Sequence, residues 1–274
     1  MRHYKFVNDP KSVPSFLKGR IKFTPIPELN DPSELTSNVI PKDVLASLKR
    51  LRKNGYTSDD LIHLQNQGRL LHRLAPGFQA VTVPRTTTQA TELIRSSFYD
   101  QMPVLEDLLG KTAAEISKKV GIFCVSKRFD SLPMWAHYAA NASGLVVEFV
   151  RLDDIFSGDD TGVLQKLVSV RYQRETSGVT FEPQSHESLF FEKFEDWSYE
   201  KEVRVVMPLE ECDHLSVGGN ALFLYSIPTY CISRIILGWR MERDVGENIR
   251  QNAAKCQNKV EVITAKVLHG RVVL

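Results

Sequence analysis

Residues Asp196–Val206 read D-W-S-Y-E-K-E-V-R-V-V. In a pleated strand successive side chains point to opposite faces. Lys201, Val203, Val205 and Met207 then share one mostly apolar face, while Glu200, Glu202, Arg204 and Val206 share the other. Two carboxylates and a guanidinium on one face make either a solvated sheet surface laced by ion pairs or the wall of a polar cleft. Carboxylates at i and i+2 of a strand stand about 6–7 Å apart, and their repulsion raises one pKa unless a cation intervenes. Arg204 and Lys201 are the cations nearest in sequence.

Outward from this stretch, other segments read as strands: Arg2–Val7, Arg20–Thr24, G-I-F-C-V-S, G-L-V-V-E-F-V, K-L-V-S-V-R-Y-Q, A-L-F-L-Y-S, R-I-I-L-G and K-V-E-V-I-T-A-K-V-L. Asn8-Asp9-Pro10 and Asn30-Asp31-Pro32 are turn signals. Between about residues 41 and 119 the period becomes helical. Val44, Leu45, Leu48 and Leu51 form one stripe, stopped by Gly55. Leu61, Leu64, Leu71 and Leu74 form a second stripe, with Thr57 and Asp60 resembling a cap. Further helices fit Thr88–Tyr99, Leu105–Lys119, Leu132–Ala140, Ser188–Glu195 and Arg243–Cys256. Runs of strands split by a helical block argue for an α+β fold rather than a doubly wound parallel sheet. The expectation is one domain over residues 1–274, with 41–119 inserted within it.

The bulk properties exclude more than they identify. A formal net charge of +2 on 274 residues is too mild to mark a nucleic-acid binder. The four cysteines are scattered, without C-x-x-C or His pairing at metal-ligand spacing, which suits thiols in a reducing compartment. The opening residues lack the apolar core of a signal peptide. No apolar run approaches the roughly 18 residues of a membrane span. The chain therefore reads as cytoplasmic, without a membrane partner or a metal. It contains no G-x-G-x-x-G, P-loop, H-E-x-x-H or G-x-S-x-G.

Three constellations carry chemistry. In the Glu200–Arg204 stretch, a cleft reading lets one glutamate stabilise positive charge developing on a sugar carbon, with Trp197 and Tyr199 as an aromatic wall. In S-K-R-F-D-S-L-P-M-W-A-H-Y-A-A (Ser126–Ala140), Asp130 or Ser131 can cap a short helix that carries Trp135, His137 and Tyr138. Those rings are either core packing or a platform for a planar ligand. At the N-terminus, H-Y-K-F (His3–Phe6) and R-I-K-F-T-P-I-P-E-L-N-D-P (Arg20–Pro32) either frame a nucleotide or are ordinary edge strands ending in proline turns. The basic run Lys49–Lys53 suits a helix C-terminus and serves, in a second reading, as a phosphate-contacting patch.

Together these segments resemble a bacterial family of unknown function whose members read Y-K-Y, F-N-D-P-F-E, M-W-a-H-Y, G…i-e-F, f-x-K and W-x-y-E-x-E-x-R. The matching stretches are Tyr4–Phe6, Leu29–Glu34, Phe123–Ala139, Gly144–Phe149 and Phe191–Arg204, with Ser33 departing from the usual aromatic. The order of elements is also similar to that of ADP-ribosyltransferases, especially DNA-modifying toxins. That similarity rests on P-M-W at Pro133–Trp135, E-V-R-V at Glu202–Val205 and I-P-T-Y-C-I-S-R-I-I-L at Ile227–Leu237. It implies a split mixed β-sheet of the ADP-ribosyltransferase type with an inserted helical subdomain. It further implies NAD as substrate and transfer of ADP-ribose to a nucleic acid or protein, or hydrolysis of NAD. Glu202 would stabilise the oxocarbenium and Glu200 would orient or deprotonate the acceptor. Tyr4, Lys5, Ser126, Trp135, His137, Tyr138 and Arg204 would contact NAD. A toxin or defence effector is implied, with an antitoxin or a second copy as partner. The contrasting expectation is a non-catalytic nucleic-acid or protein-binding module that uses the basic helical insert.

Overall fold

The computed structural model describes residues 1–29, 49–74, 84–96, 114–158, 164–174, 190–217 and 219–274. Its centre is β3 (Val120–Ser126), an apolar run that β8 (Glu202–Pro208) covers antiparallel along its whole length, from Ser126 opposite Glu202 to Val120 opposite Pro208. The other edge of β3 is shared by two strands. β1 (Arg2–Val7) meets it at Tyr4–Ser126, and β2 (Arg20–Pro25) meets it at Thr24–Ile122 and Pro25–Gly121. Between those contacts, alongside Phe123–Val125, the sheet splits.

Each half then extends outward. β1 pairs antiparallel with β4 (Leu145–Val150), β4 with β11 (Ile232–Leu237), and β11 runs parallel to β12 (Glu261–Thr264). On the other side β2 pairs with β10 (Asn220–Ser226), which forms a hairpin with β9 (Asp213–Val217). Short β5 (Val168–Ser169) lines the free edge of β8. The sheet is therefore mixed and the fold α+β, with one parallel pair in this sheet among the described residues.

Residues of β3, β4 and β8 are buried on both faces, which explains their near-continuous apolar runs. One face packs Phe23, Phe123, Phe149, Val205 and Ile235 into a single core. Helices α1 (Val13–Leu17) and α5 (Arg243–Ala254) supply Phe16 and Ile249 to it. On the opposite face the core divides. Phe6, Trp135, Val146 and Ile236 form one cluster beneath α4 (Leu132–Tyr138); Ile122, Phe190, Phe191 and Val206 form another. The gap between these two clusters faces the split in the sheet.

Helices α2 (Ser58–Leu74) and α3 (Thr87–Ser96) lie in the chain between β2 and β3. The start of α2 is fixed by a reciprocal cap, in which Thr57 N donates to Asp60 Oδ2 at 2.9 Å and Asp60 N donates to Thr57 Oγ1 at 3.2 Å. Parts of the segments expected to be helical at Val44–Leu51 and Leu105–Lys119, and the expected turn at Asn30-Asp31-Pro32, lie outside the described residues. Within the described residues, 49–54 and 114–119 are helical, with Leu51 and Ile116 buried.

Several local expectations change. The helix expected over Ser188–Glu195 gives way at Glu192–Phe194 to strand β7, parallel to β6 (Arg171–Gln173) in a separate two-stranded piece. The run K-L-V-S-V-R-Y-Q thus breaks between β5 and β6. K-V-E-V-I-T-A-K-V-L breaks at Ala265, which is buried and donates its N–H to Leu237 O at 2.9 Å. The remainder forms a hairpin of β13 (Lys266–Leu268) and β14 (Arg271–Val273). Among the described residues no helix is long and apolar enough to cross a membrane.

The turn after α4 is joined to the sheet by close backbone approach. Gly144 N donates to Ala139 O at 2.8 Å, and Gly238 N donates to Gly144 O at 2.9 Å. A Cβ on Gly238 would overlap the carbonyl oxygen of Ala142. Gly238→Ala is expected to destabilise the protein by about 1–3 kcal/mol, read as a lower urea midpoint with unchanged m-value.

Candidate functional site

The split and the divided core enclose a pocket of about 300 Å³. β1 contributes Tyr4, Lys5 and Phe6; β2 contributes Lys22 and Thr24; β3 contributes Cys124, Val125 and Ser126. Met134 and Tyr138, four residues apart on α4, close one side, with Lys193, Glu200 and Glu202 on the other.

Glu200 is not a strand residue. It ends a 3-10 helix (Glu195–Glu200), and Lys201 follows in the left-handed region at φ 46° before β8 begins at Glu202. This turn replaces strict alternation and brings both carboxylates to one ammonium. Lys193 Nζ lies 2.9 Å from Glu200 Oε2 and 3.5 Å from Glu202 Oε2. Lys201, expected to supply a cation, is exposed. Arg204 clasps Glu202 with two bonds, Nε to Oε1 at 2.8 Å and Nη2 to Oε2 at 2.9 Å, and donates Nη1 to Phe190 O at 2.9 Å. Tyr138 donates its hydroxyl to Glu200 Oε1 at 2.6 Å, and Ser126 Oγ donates to Glu200 O at 2.6 Å. Glu202 N donates to the hydroxyl oxygen of Tyr172 at 2.7 Å.

Four buried charges thus sum to zero, and the two carboxylates behave differently. Burial alone would raise the pKa of Glu202, but Arg204, and after it Lys193, outweigh burial and hold it at about 2. Glu200 moves upward: burial dominates, Lys193 opposes it, and the charge of Glu202 reinforces it. Burial and the Glu200 carboxylate together push the Tyr138 phenol well above its usual value. Tyr138 therefore stays a proton donor. One carboxylate is held ionised at neutral pH and the other is poised to take up a proton.

Of the residues expected to act together, Glu200, Glu202, Tyr4, Lys5, Ser126 and Tyr138 all line the pocket. Three others do not. Trp135 is fully buried, donates Nε1–H to Phe129 O at 2.7 Å and packs on Phe6 and Trp239, so it is core rather than a stacking surface. His137 is exposed, its ring near those of Tyr138 and Tyr199. Arg204 is buried behind Glu202 and serves it rather than a ligand. Sequence reading passed over Lys193, Cys124 and Tyr172. Lys193 had a signal, the lysine of F-E-K-F ahead of W-S-Y-E, but burial is what gives it meaning. Glu148, the one charge in L-V-V-E-F-V, is also buried. Its Oε1 accepts from Ser233 Oγ at 2.7 Å, with Arg2 and Arg234 3.7 and 3.6 Å from Oε2. It stands opposite Tyr4 in the β1–β4 register, and after burial its charge is the main influence raising the Tyr4 pKa.

Residues 134–205 match the family model described as Protein of unknown function (DUF2971). This span holds M-W-A-H-Y, G-L-V-V-E-F and W-S-Y-E-K-E-V-R, and so agrees with the unknown-function family that the sequence resembles. No curated protein and no solved structure matches the chain.

Arg204→Met would leave Glu202 buried with reduced compensation, an expected loss of about 3–5 kcal/mol. The unfolded carboxylate titrates near about 4.3, above the folded value of about 2. Glu202 therefore contributes stability above the unfolded value that is lost as pH falls through the folded one. Glu200, shifted upward, has the opposite sign and costs stability as pH rises. Urea unfolding at pH 7 and pH 3 should show a smaller acid-side loss in Arg204→Met than in the wild type.

Proposed function

We propose that the cleft cleaves the nicotinamide–ribose bond of NAD and passes ADP-ribose to a macromolecular acceptor or to water. The observation that carries this reading is the pair of unlike carboxylates, one fixed as an anion and one able to accept a proton, side by side in the pocket at the split. A volume of about 300 Å³ suits the nicotinamide riboside half of the substrate. Tyr4 and Tyr138 line the pocket as contacts for nicotinamide, and Lys5, with Lys22 beside Glu28 at 3.8 Å, supplies positive charge for the diphosphate.

The glycosidic bond breaks heterolytically: its electron pair goes to the pyridinium nitrogen, nicotinamide leaves neutral, and positive charge develops on the ribose. A preorganised anion stabilises that charge more in the transition state than in the ground state. Glu202 has this role, moderated by Arg204, which offsets part of its field while fixing its position. Glu200 takes the proton of the attacking hydroxyl or amine as the new bond to the ribose carbon forms. The ADP-ribosyltransferase fold type belongs to the same proposal, as does a toxin or defence role with an antitoxin or a second copy as partner.

The second reading, a binding module, draws on Lys49, Arg52 and Lys53, which are exposed on one helix. Arg50 in the same run is turned to Asp60 at 3.2 Å.

Incubation with nicotinamide-labelled NAD, with and without DNA, RNA or protein acceptors, is expected to release nicotinamide. Glu202→Gln should lower release by about 10²–10³-fold. Glu200→Gln should suppress transfer more than NAD binding. Absence of NAD binding together with salt-sensitive nucleic-acid binding would replace this proposal with the module.

A further inference from the structure

We infer that Lys193 is a positioning residue of the cleft, its ammonium holding Glu200 at the pocket wall in the ionised state from which it accepts a proton. The catalytic consequence rests on the NAD-cleaving reading; the geometry does not. Lys193 comes from β7, which pairs with β6 rather than with the central sheet. In that register Lys193 stands opposite Tyr172. The two-stranded piece therefore directs two polar tips at the start of β8, the Lys193 ammonium to the carboxylates and the Tyr172 hydroxyl to Glu202 N.

A lysine is almost never buried unless paired, and Lys193 is only 6% exposed. Its ammonium lies between the carboxylates and the ring of Trp197, 4.6 Å from the ring centroid. Arg204 gives two nitrogens to Glu202 and the third to Phe190 O. Among the described residues, the ammonium in direct contact with the Glu200 carboxylate is that of Lys193, at 2.9 Å. The other groups around Glu200 are Glu202 on β8, whose charge repels it, Tyr138 on α4, which donates to its carboxylate, Ser126 on β3, which donates to its backbone carbonyl, and Tyr199 on its own turn. Tyr172 on β6 and Cys124 on β3 contact Glu202. With Lys193 removed, burial and the charge of Glu202 act on Glu200 with less opposition, so it holds its proton to higher pH.

The test is a carboxyl-carbon NMR titration of the intact protein carrying labelled glutamate and lysine, without substrate. In the wild type, Glu200 Cδ and Lys193 Cε should share an inflection, because ionisation of one is felt by the other. In Lys193→Met the Glu200 midpoint should rise by about 1–3 pH units, and Lys193→Arg should restore most of the shift. An unmoved midpoint in Lys193→Met overturns the inference. Where that variant does not fold, the absence of a shared inflection in the wild type overturns it equally. The acid limb of the kcat/KM profile for nicotinamide release should shift by the same interval. A shifted titration in a protein that releases no nicotinamide keeps the Lys193 assignment and discards the NAD reading.

Discussion

One edge of β3 has to serve two strands, and the rest of the molecule follows from that constraint. β1 takes the edge at Ser126 and β2 takes it at Ile122 and Gly121, so between them β3 pairs with β8 on one side while Cys124 and Val125 line the cleft. Backbone polar groups at such a place need partners from side chains, solvent or ligand. Divergence of β1 from β2 also divides the apolar packing on one face into two clusters, while the opposite face keeps a continuous core. The continuous face holds the sheet together, and the divided face leaves room for a pocket.

The pocket is costly to build because it buries charge. Removing a carboxylate or an ammonium from water carries a penalty of several kcal/mol per ion unless the geometry compensates it. Here Lys193, Glu200, Glu202 and Arg204 sum to zero; Tyr138 donates to the Glu200 carboxylate, Phe190 O accepts from Arg204, and the Tyr172 hydroxyl accepts from the backbone N–H of Glu202. The result is asymmetric: the bidentate arginine fixes Glu202 as an anion, and Glu200 shares a single ammonium. Glu148 is a second buried carboxylate, with Arg2 and Arg234 3.7 and 3.6 Å from its Oε2, and from the neighbouring strand its charge raises the Tyr4 pKa.

Much of the fold was legible where a segment's local pattern and its burial agree. Arg2–Val7 has the bounds expected of it, and α4 starts beside Pro133 as its helix-start signal indicates. Thr57 and Asp60 form the cap their spacing suggests. Legibility failed where tertiary pairing overrode local pattern. Glu192–Phe194 looks helical among its neighbours, yet it becomes a strand because β6 lies beside it. Trp135 looks like a ligand platform, yet it fills the space between Phe6 and Trp239. Sequence spacing reports which side chains can share a face, but not whether that face meets water or another layer.

By itself the sequence determined the α+β class, the central strands and the charged stretch Glu200–Arg204 as the place to look, because alternation and apolar runs are local properties. Only the tertiary structure decided what those charges do. The left-handed turn at Lys201 breaks the alternation that the sequence suggests and lets both glutamates reach Lys193. That lysine arrives from a strand paired outside the central sheet. Its position depends on contacts between segments distant in the chain, and no local pattern encodes them.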